Sequence, residues 1–121
     1  MTPLATAYRE NAVLSAPPEK LVVMLYDGAR RFLFQAAVAM REKQIELAHN
    51  KLRRAEDIIQ HLRDALDKDQ GGEIAERLEA IYRFCQRHLV KARFDQDPVK
   101  IEQVMGLLAD LREAWAAIAE Q

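Results

Sequence analysis

The chain has 121 residues with 18 basic and 19 acidic side chains, evenly mixed, for a net charge of −1. A length of this order makes one domain that buries somewhat over ~60% of its unfolded surface, so a core is feasible without metal or disulfide. The charge balance argues against an electrostatic grip on nucleic acid or on a membrane surface, and no run approaches the ~18 apolar residues that span a bilayer. Arg9 and Glu10 interrupt the opening residues where an export signal needs an unbroken apolar core. The single cysteine, Cys85, cannot form an internal bridge, which fits a reducing, cytoplasmic setting.

Residues 1–16 are too short and too rich in small side chains to stand alone. Leu4, Ala5, Tyr8 and Ala12 nevertheless fall on one side of a helical turn, so the segment reads as a mobile docking piece able to bind and leave again. Pro17, Pro18 and Glu19 open the first long helix, over about residues 18–41, because proline at a first helical position loses no hydrogen bond. Leu21 to Tyr26, Ala29, Phe32, Leu33, Ala36, Ala37 and Met40 leave it only a narrow polar strip. Such a helix calls for several neighbours at once and reads as the centre of a bundle. Gly28 in its middle costs roughly 1 kcal/mol relative to alanine, tolerable where another element comes close.

Arg41 to Gln44 is the first charged gap and takes the first turn. In the second helix, about 44–67, Ile45, Ala48, Leu52, Ala55, Ile59, Leu62 and Leu66 step by threes and fours, which is a bundle seam. The stretch DKDQGG, Asp67 to Gly72, is expected to reverse the chain at its paired glycines. The third helix, about 72–94, repeats the seam with Ala75, Leu78, Tyr82, Cys85, Leu89 and Ala92. The fourth, about 98–119, follows Asp97 as cap and Pro98 as first residue, and carries Ile101, Val104, Leu108, Leu111, Trp115 and Ile118. No segment alternates over strand length. The expected fold is all-α, one domain over 1–121: an antiparallel up-down-up-down four-helix bundle with a short N-terminal docking segment.

Chemistry is sparse. Glu46 and His49 make one Glu-x-x-His step, but a carboxylate-bridged metal site needs a second copy and two further inward carboxylates, so surface charge is the better reading and no metal or other cofactor is expected. Cys85 and His88 stand one turn apart like a nucleophile and its base, yet the seam position of Cys85 marks a buried, inert thiol. Gly71 and Gly72 lack the spacing of a phosphate loop. Arg30, Arg31, Lys51, Arg53 and Arg54 read as a solvated face. No convergent set of polar groups points to an enzyme.

Apolar residues, by contrast, are in surplus. Ile74, Ile81, Phe84 and Phe94 lie off the third seam and enlarge a surface that the bundle does not need for its own core. Either they form a groove for an amphipathic helix or extended peptide, or the N-terminal segment covers them.

Five stretches, in order and at matching intervals, resemble the flagellin-specific export chaperones of bacterial flagellar secretion, the FliS family. They are Tyr8 to Val13, Pro18 to Val22 with Met24 to Ala29, Ala55 to Ile59, Gly71 to Ala75, and Leu111 to Trp115. The chain departs from that pattern at Pro17, where the family usually has serine, and at Arg93, where it often has asparagine. The resemblance implies a non-enzymatic cytoplasmic chaperone that holds the C-terminal segment of flagellin, prevents premature polymerisation and assists delivery to the type III export apparatus. The alternative is a regulatory adaptor for other flagellar proteins, such as an anti-sigma factor or an export-gate component. On the first reading a flagellin tail folds onto clefts of the second, third and fourth helices. The candidate contacts are Ile58, Leu62, Ile74, Leu78, Ile81, Tyr82 and Leu107, with Tyr8 as a competing lid implied by the family.

Overall fold

A computed structural model describes residues 18–119. Four helices follow one another: α1 (Pro18–Arg41), α2 (Ile45–Asp64), α3 (Lys68–Asp95) and α4 (Pro98–Ala119). They run antiparallel. Arg41 at the end of α1 makes a two-pronged ion pair with Glu102 in the first turns of α4, at 2.7 and 2.8 Å, while Asp27 near the start of α1 holds Arg112 late in α4 at 2.8 Å. The expected bundle is therefore the fold observed.

Side-chain size sets how closely the helices approach. Ala29, Ala36, Ala37 and Ala39 line the inner surface of α1, facing Ala48 and Ala55 of α2, and α1 consequently lies close to both α2 and α4. Gly28 belongs to the same surface, where an added Cβ would meet the tip of Ile58 at 3.4 Å. α3 approaches the same two helices less closely, because its inner row holds Tyr82 and Leu89 and much of its join to α2 is polar. Arg63 donates to Glu79 and Gln86 there, Gln86 to Gln60, and Arg93 to both carboxylate oxygens of Glu56.

α1 is less enclosed than its sequence suggests. Among the described residues it has close neighbours on two sides only, and Met24, Phe34 and Val38 remain exposed on its outer side. The second seam also begins later than expected: Ile45 is exposed and burial starts at Ala48, because α1 has already ended at Arg41 and offers nothing at the level of Ile45.

The turns contain the clearest difference from expectation. Between α2 and α3 the chain reverses at residues 65–67, before the glycine pair. The Asp67 carboxylate accepts hydrogen bonds from the backbone N–H groups of Asp69 and Gln70, so one helical turn forms ahead of Gly72. Gly72 then breaks the helix with φ 54° and ψ −128°, a conformation open essentially to glycine alone. The other two turns use the same device without glycine. Lys43 (φ 62°) and Gln96 (φ 52°) take left-handed backbone, and the bonds Gln44 N–H to Ala39 C=O and Asp97 N–H to Ala92 C=O complete a Schellman closure at each. Asp97 then caps α4 through the Val99 N–H at 3.0 Å.

One polar contact crosses the core. The hydroxyls of Tyr26 in α1 and Tyr82 in α3 are hydrogen-bonded at 2.5 Å across the bundle diagonal, and both residues are buried. Burial disfavours either phenolate and holds both pKa values above the ordinary tyrosine range.

Candidate functional site

Among the described residues, the bundle is open at the end where α1 and α3 begin and α2 and α4 finish. A cleft of about 260 Å³ lies there, walled by Val22 and Leu25 of α1, Leu62 and Leu66 of α2, Ile74, Leu78 and Tyr82 of α3, and Trp115 of α4. Asp67, the cap of α3, supplies a carboxylate among these lining groups. The cleft follows from the chain reversal. Gly72 redirects α3 just before Ile74, so that side chain stands 70% exposed, while Ala75 next to it is buried and too small to fill the space.

The expected contact residues divide into three groups. Leu62, Ile74, Leu78 and Tyr82 come together in this cleft. Ile81 and Leu107 are half-buried on α3 and α4, packed against the core outside the cleft. Ile58 is buried against Gly28 and does not line this cleft. Leu62 and Tyr82 are likewise buried, so they form the deep wall of the cleft rather than its rim. Tyr8 lies outside the described residues.

Two further apolar surfaces were not apparent from the seams. Phe34 and Val38 of α1 with Leu47 of α2 form a shallow cleft that also includes Gln35 and Lys51, and Phe34 is 59% exposed. Their signal in the sequence was the same as that of Phe84 and Phe94, large apolar side chains off a seam. At the opposite end of the bundle, Met40, Ile45, Ala48 and Leu52 line a cleft together with His49 and Arg93. Arg93 fixes that corner, because its Nε–H donates to His49 Nδ1 at 3.1 Å while its other nitrogens pair with Glu56. The departure at Arg93 thus ties α3 to α2 by a side chain longer than asparagine.

The α3 side carries the expected apolar surplus. Phe84 is exposed and stacks on His88, with ring centroids 5.0 Å apart, and His88 is bonded to Gln103 of α4 at 2.5 Å. Phe94 stands 88% exposed. Cys85 is fully buried, and burial pushes its thiol up to about 11, so it is neither a thiolate nor within reach of solvent at neutral pH. Lys51 and Arg54 both lie 5.6 Å from the Phe32 ring centre, so part of the basic α2 surface is engaged in cation–π contact.

Such an arrangement can hold another chain by shape and apolar contact. Among the described residues no three His, Cys, Asp or Glu side chains are grouped to hold a metal ion, and no helix is long and apolar enough to cross a membrane. The class defined by fold and surface is a helical-bundle binding protein.

Comparison with known proteins makes this specific. The family of the flagellar protein FliS matches residues 1–121. The chain is 38% identical over 111 residues to the flagellar secretion chaperone FliS of Salmonella typhimurium, covering 91% of this chain and 82% of that one. It is 34% identical over 110 residues to the flagellar secretion chaperone FliS of Bacillus subtilis, covering 91% and 81%. With the flagellar secretion chaperone FliS of Escherichia coli it shares 33% identity over 107 residues, covering 88% of this chain and 79% of that one. The chain belongs to the FliS family of flagellar secretion chaperones.

Proposed function

We propose that this protein is a cytoplasmic export chaperone that binds the disordered C-terminal segment of flagellin, keeps it from polymerising early, and assists its delivery to the flagellar type III export apparatus. The observation that carries the reading is the apolar cleft at the open end of the bundle, with Ile74 at its rim and Leu62, Leu78 and Tyr82 behind it. Family membership supplies the flagellar context. A segment that folds as it binds there buries apolar surface and gives a negative heat-capacity change. Calorimetry of the full chain with a synthetic flagellin C-terminal peptide tests this. Heat of binding that becomes more exothermic with temperature is expected, and no heat and no competition at micromolar concentration overturns the proposal.

Tyr8, by resemblance to the family, competes with the client for this surface. Replacing Tyr8 with Ala tightens client binding if the ring only occludes, and weakens it if the ring also touches the client. An unchanged affinity removes Tyr8 from the mechanism. The separate α1–α2 cleft at Phe34, Val38 and Leu47 favours a second class of partner, such as an export-gate component or an anti-sigma factor. A pull-down from cells lacking flagellin, compared between the native chain and Val38→Asp, tests that reading.

A further inference from the structure

The inner and outer faces of α3 follow from one helical rotation. Tyr82, Cys85, Leu89 and Ala92 are buried, so the residues on the far side of the helix, Arg83, Phe84, Arg87, Val90, Lys91 and Phe94, form an outward stripe. All six are exposed, Phe94 to 88% and Val90 to 55%. The stripe is basic as well as apolar. Residues 80–94 contain no Asp or Glu, and the acids that bound the run are engaged by other cations, Glu79 by Lys68 and Arg63 and Asp95 by Lys100. Phe84 is held in place, since its ring stacks on His88 and His88 is bonded to Gln103 of α4. Apolar and cationic groups thus alternate along about 15 Å, the helical rise from Phe84 to Phe94.

Charge decides what suits this face. Residues 1–17 bring only Arg9 and Glu10, and so no net charge to set against three cations. They also join the start of α1, which lies across the bundle diagonal from α3. Glu120 and Gln121 follow the end of α4, which is level with the start of α3 and not with the stripe. A membrane or a nucleic-acid duplex is wider than the stripe. Either would bring its negative charge within a Debye length, about 8–10 Å, of the exposed acids Asp95 on α3 and Glu102 and Asp110 on α4. A helix about 10 Å across covers the stripe alone.

We propose that the outer face of α3 docks a further partner, an acidic amphipathic helix of about three turns. Its apolar residues, recurring every three or four positions, lie on Phe84, Val90 and Phe94. Its flanking carboxylates pair with Arg83, Arg87 and Lys91, and arginine can hold a carboxylate with two parallel bonds. The site is independent of the function proposed above, because it shares no residue with the end cleft.

Fluorescence anisotropy with the full chain tests this. The probes are two synthetic helical peptides with the same leucine pattern, one carrying glutamate and the other lysine at every flanking position. The glutamate peptide is expected to bind about tenfold or more tighter than the lysine peptide, and to weaken as salt is raised. Arg87→Glu and Phe94→Ala are each expected to lower its affinity about tenfold. Both side chains are exposed, so the melting temperature of either variant is expected to stay within about 3 °C of the native value. Ile74→Asp, in the end cleft, is expected to leave binding of the glutamate peptide unchanged.

Equal binding of the two peptides, or equal losses in Ile74→Asp and Arg87→Glu, overturns the inference. So does retention of the chain on vesicles of phosphatidylglycerol and phosphatidylcholine that Arg87→Glu abolishes, which makes the face a lipid site. A dimer of the chain alone that Arg87→Glu dissociates in sedimentation also overturns it, since the face is then an interface between copies. Binding of the glutamate peptide that depends on Arg87, with no binding of a flagellin C-terminal peptide, refutes the flagellin reading and leaves this one standing.

Discussion

Among the described residues, the closed middle of the bundle and its open end are built from the same helices and are opposites in packing. In the middle, alanines bring α1 and α2 close enough for Leu33, Leu52 and Ile59 to be fully buried, and the core is filled by short side chains at short range. At the end, Gly72 bends the start of α3, Ile74 faces outward, and large walls such as Leu78, Tyr82 and Trp115 surround a space they do not fill. Close packing needs small residues on facing surfaces, whereas a binding cleft needs large residues kept apart by the backbone. The polar contacts respect the division, since the Tyr26–Tyr82 bridge spans the diagonal beside the cleft wall.

The largest test of this contrast is to truncate one residue in each region. Leu52→Ala is expected to lower unfolding free energy by about 3 kcal/mol, because it leaves a cavity in a closed core. Ile74→Ala is expected to change stability by less than about 0.5 kcal/mol while weakening the client peptide. Denaturant unfolding and calorimetry on the two variants check both halves. Comparable destabilisation by both would mean that the end of the bundle is sealed in the complete chain.

Glycine positions sharpen the comparison. Gly72→Ala forces a side chain into positive φ and is expected to lower stability by about 1–2 kcal/mol, with a loss of client binding as the start of α3 shifts. Gly106→Ala, in α4 where an added Cβ meets nothing within 4 Å, is expected to raise stability by up to about 1 kcal/mol. Thermal melts of the pair give the signs directly. A smaller gain, about 0.5–1 kcal/mol, is expected from Lys43→Gly and from Gln96→Gly, since each relieves left-handed backbone at a non-glycine residue.

The smallest expected effect is on pH. Arg41 beside Glu102 and Lys100 beside Asp97 hold those two carboxyls below their usual range, and Lys68 with Arg63 does the same for Glu79. A carboxyl whose pKa is lower when folded contributes stability above its unfolded value and loses it as pH falls through the folded one. Melting temperature is therefore expected to decline as pH drops below about 4, and Glu102→Gln to flatten part of that decline. Glu102 is exposed and Asp97 and Glu79 are only partly covered, so the slope is shallow and weakens further with added salt.

Much of the fold was legible in the seams. Steps of threes and fours marked four helices, and Asp97 followed by Pro98 marked the start of the last. The first reversal was harder to read because Lys43 takes a conformation that sequence normally advertises with glycine. The second was displaced because Asp67 caps a turn of helix that the glycine pair conceals. Half of the expected contact set meets in one cleft, and Ile58 does not, since facing Gly28 is a matter of helix rotation that no single helix records.

The sequence by itself determined an all-helical bundle, an apolar surface beyond the needs of that bundle, and the resemblance to flagellar export chaperones. All three rest on local periodicity and on short motifs, which act within one or two helical turns. Tertiary structure alone decided which apolar residues are core and which are wall, that the cleft lies at the end where Gly72 bends α3, and that Tyr26 and Tyr82 meet 56 positions apart. Those outcomes depend on how far apart and at what rotation the helices settle, which is set by the sizes of all facing side chains together.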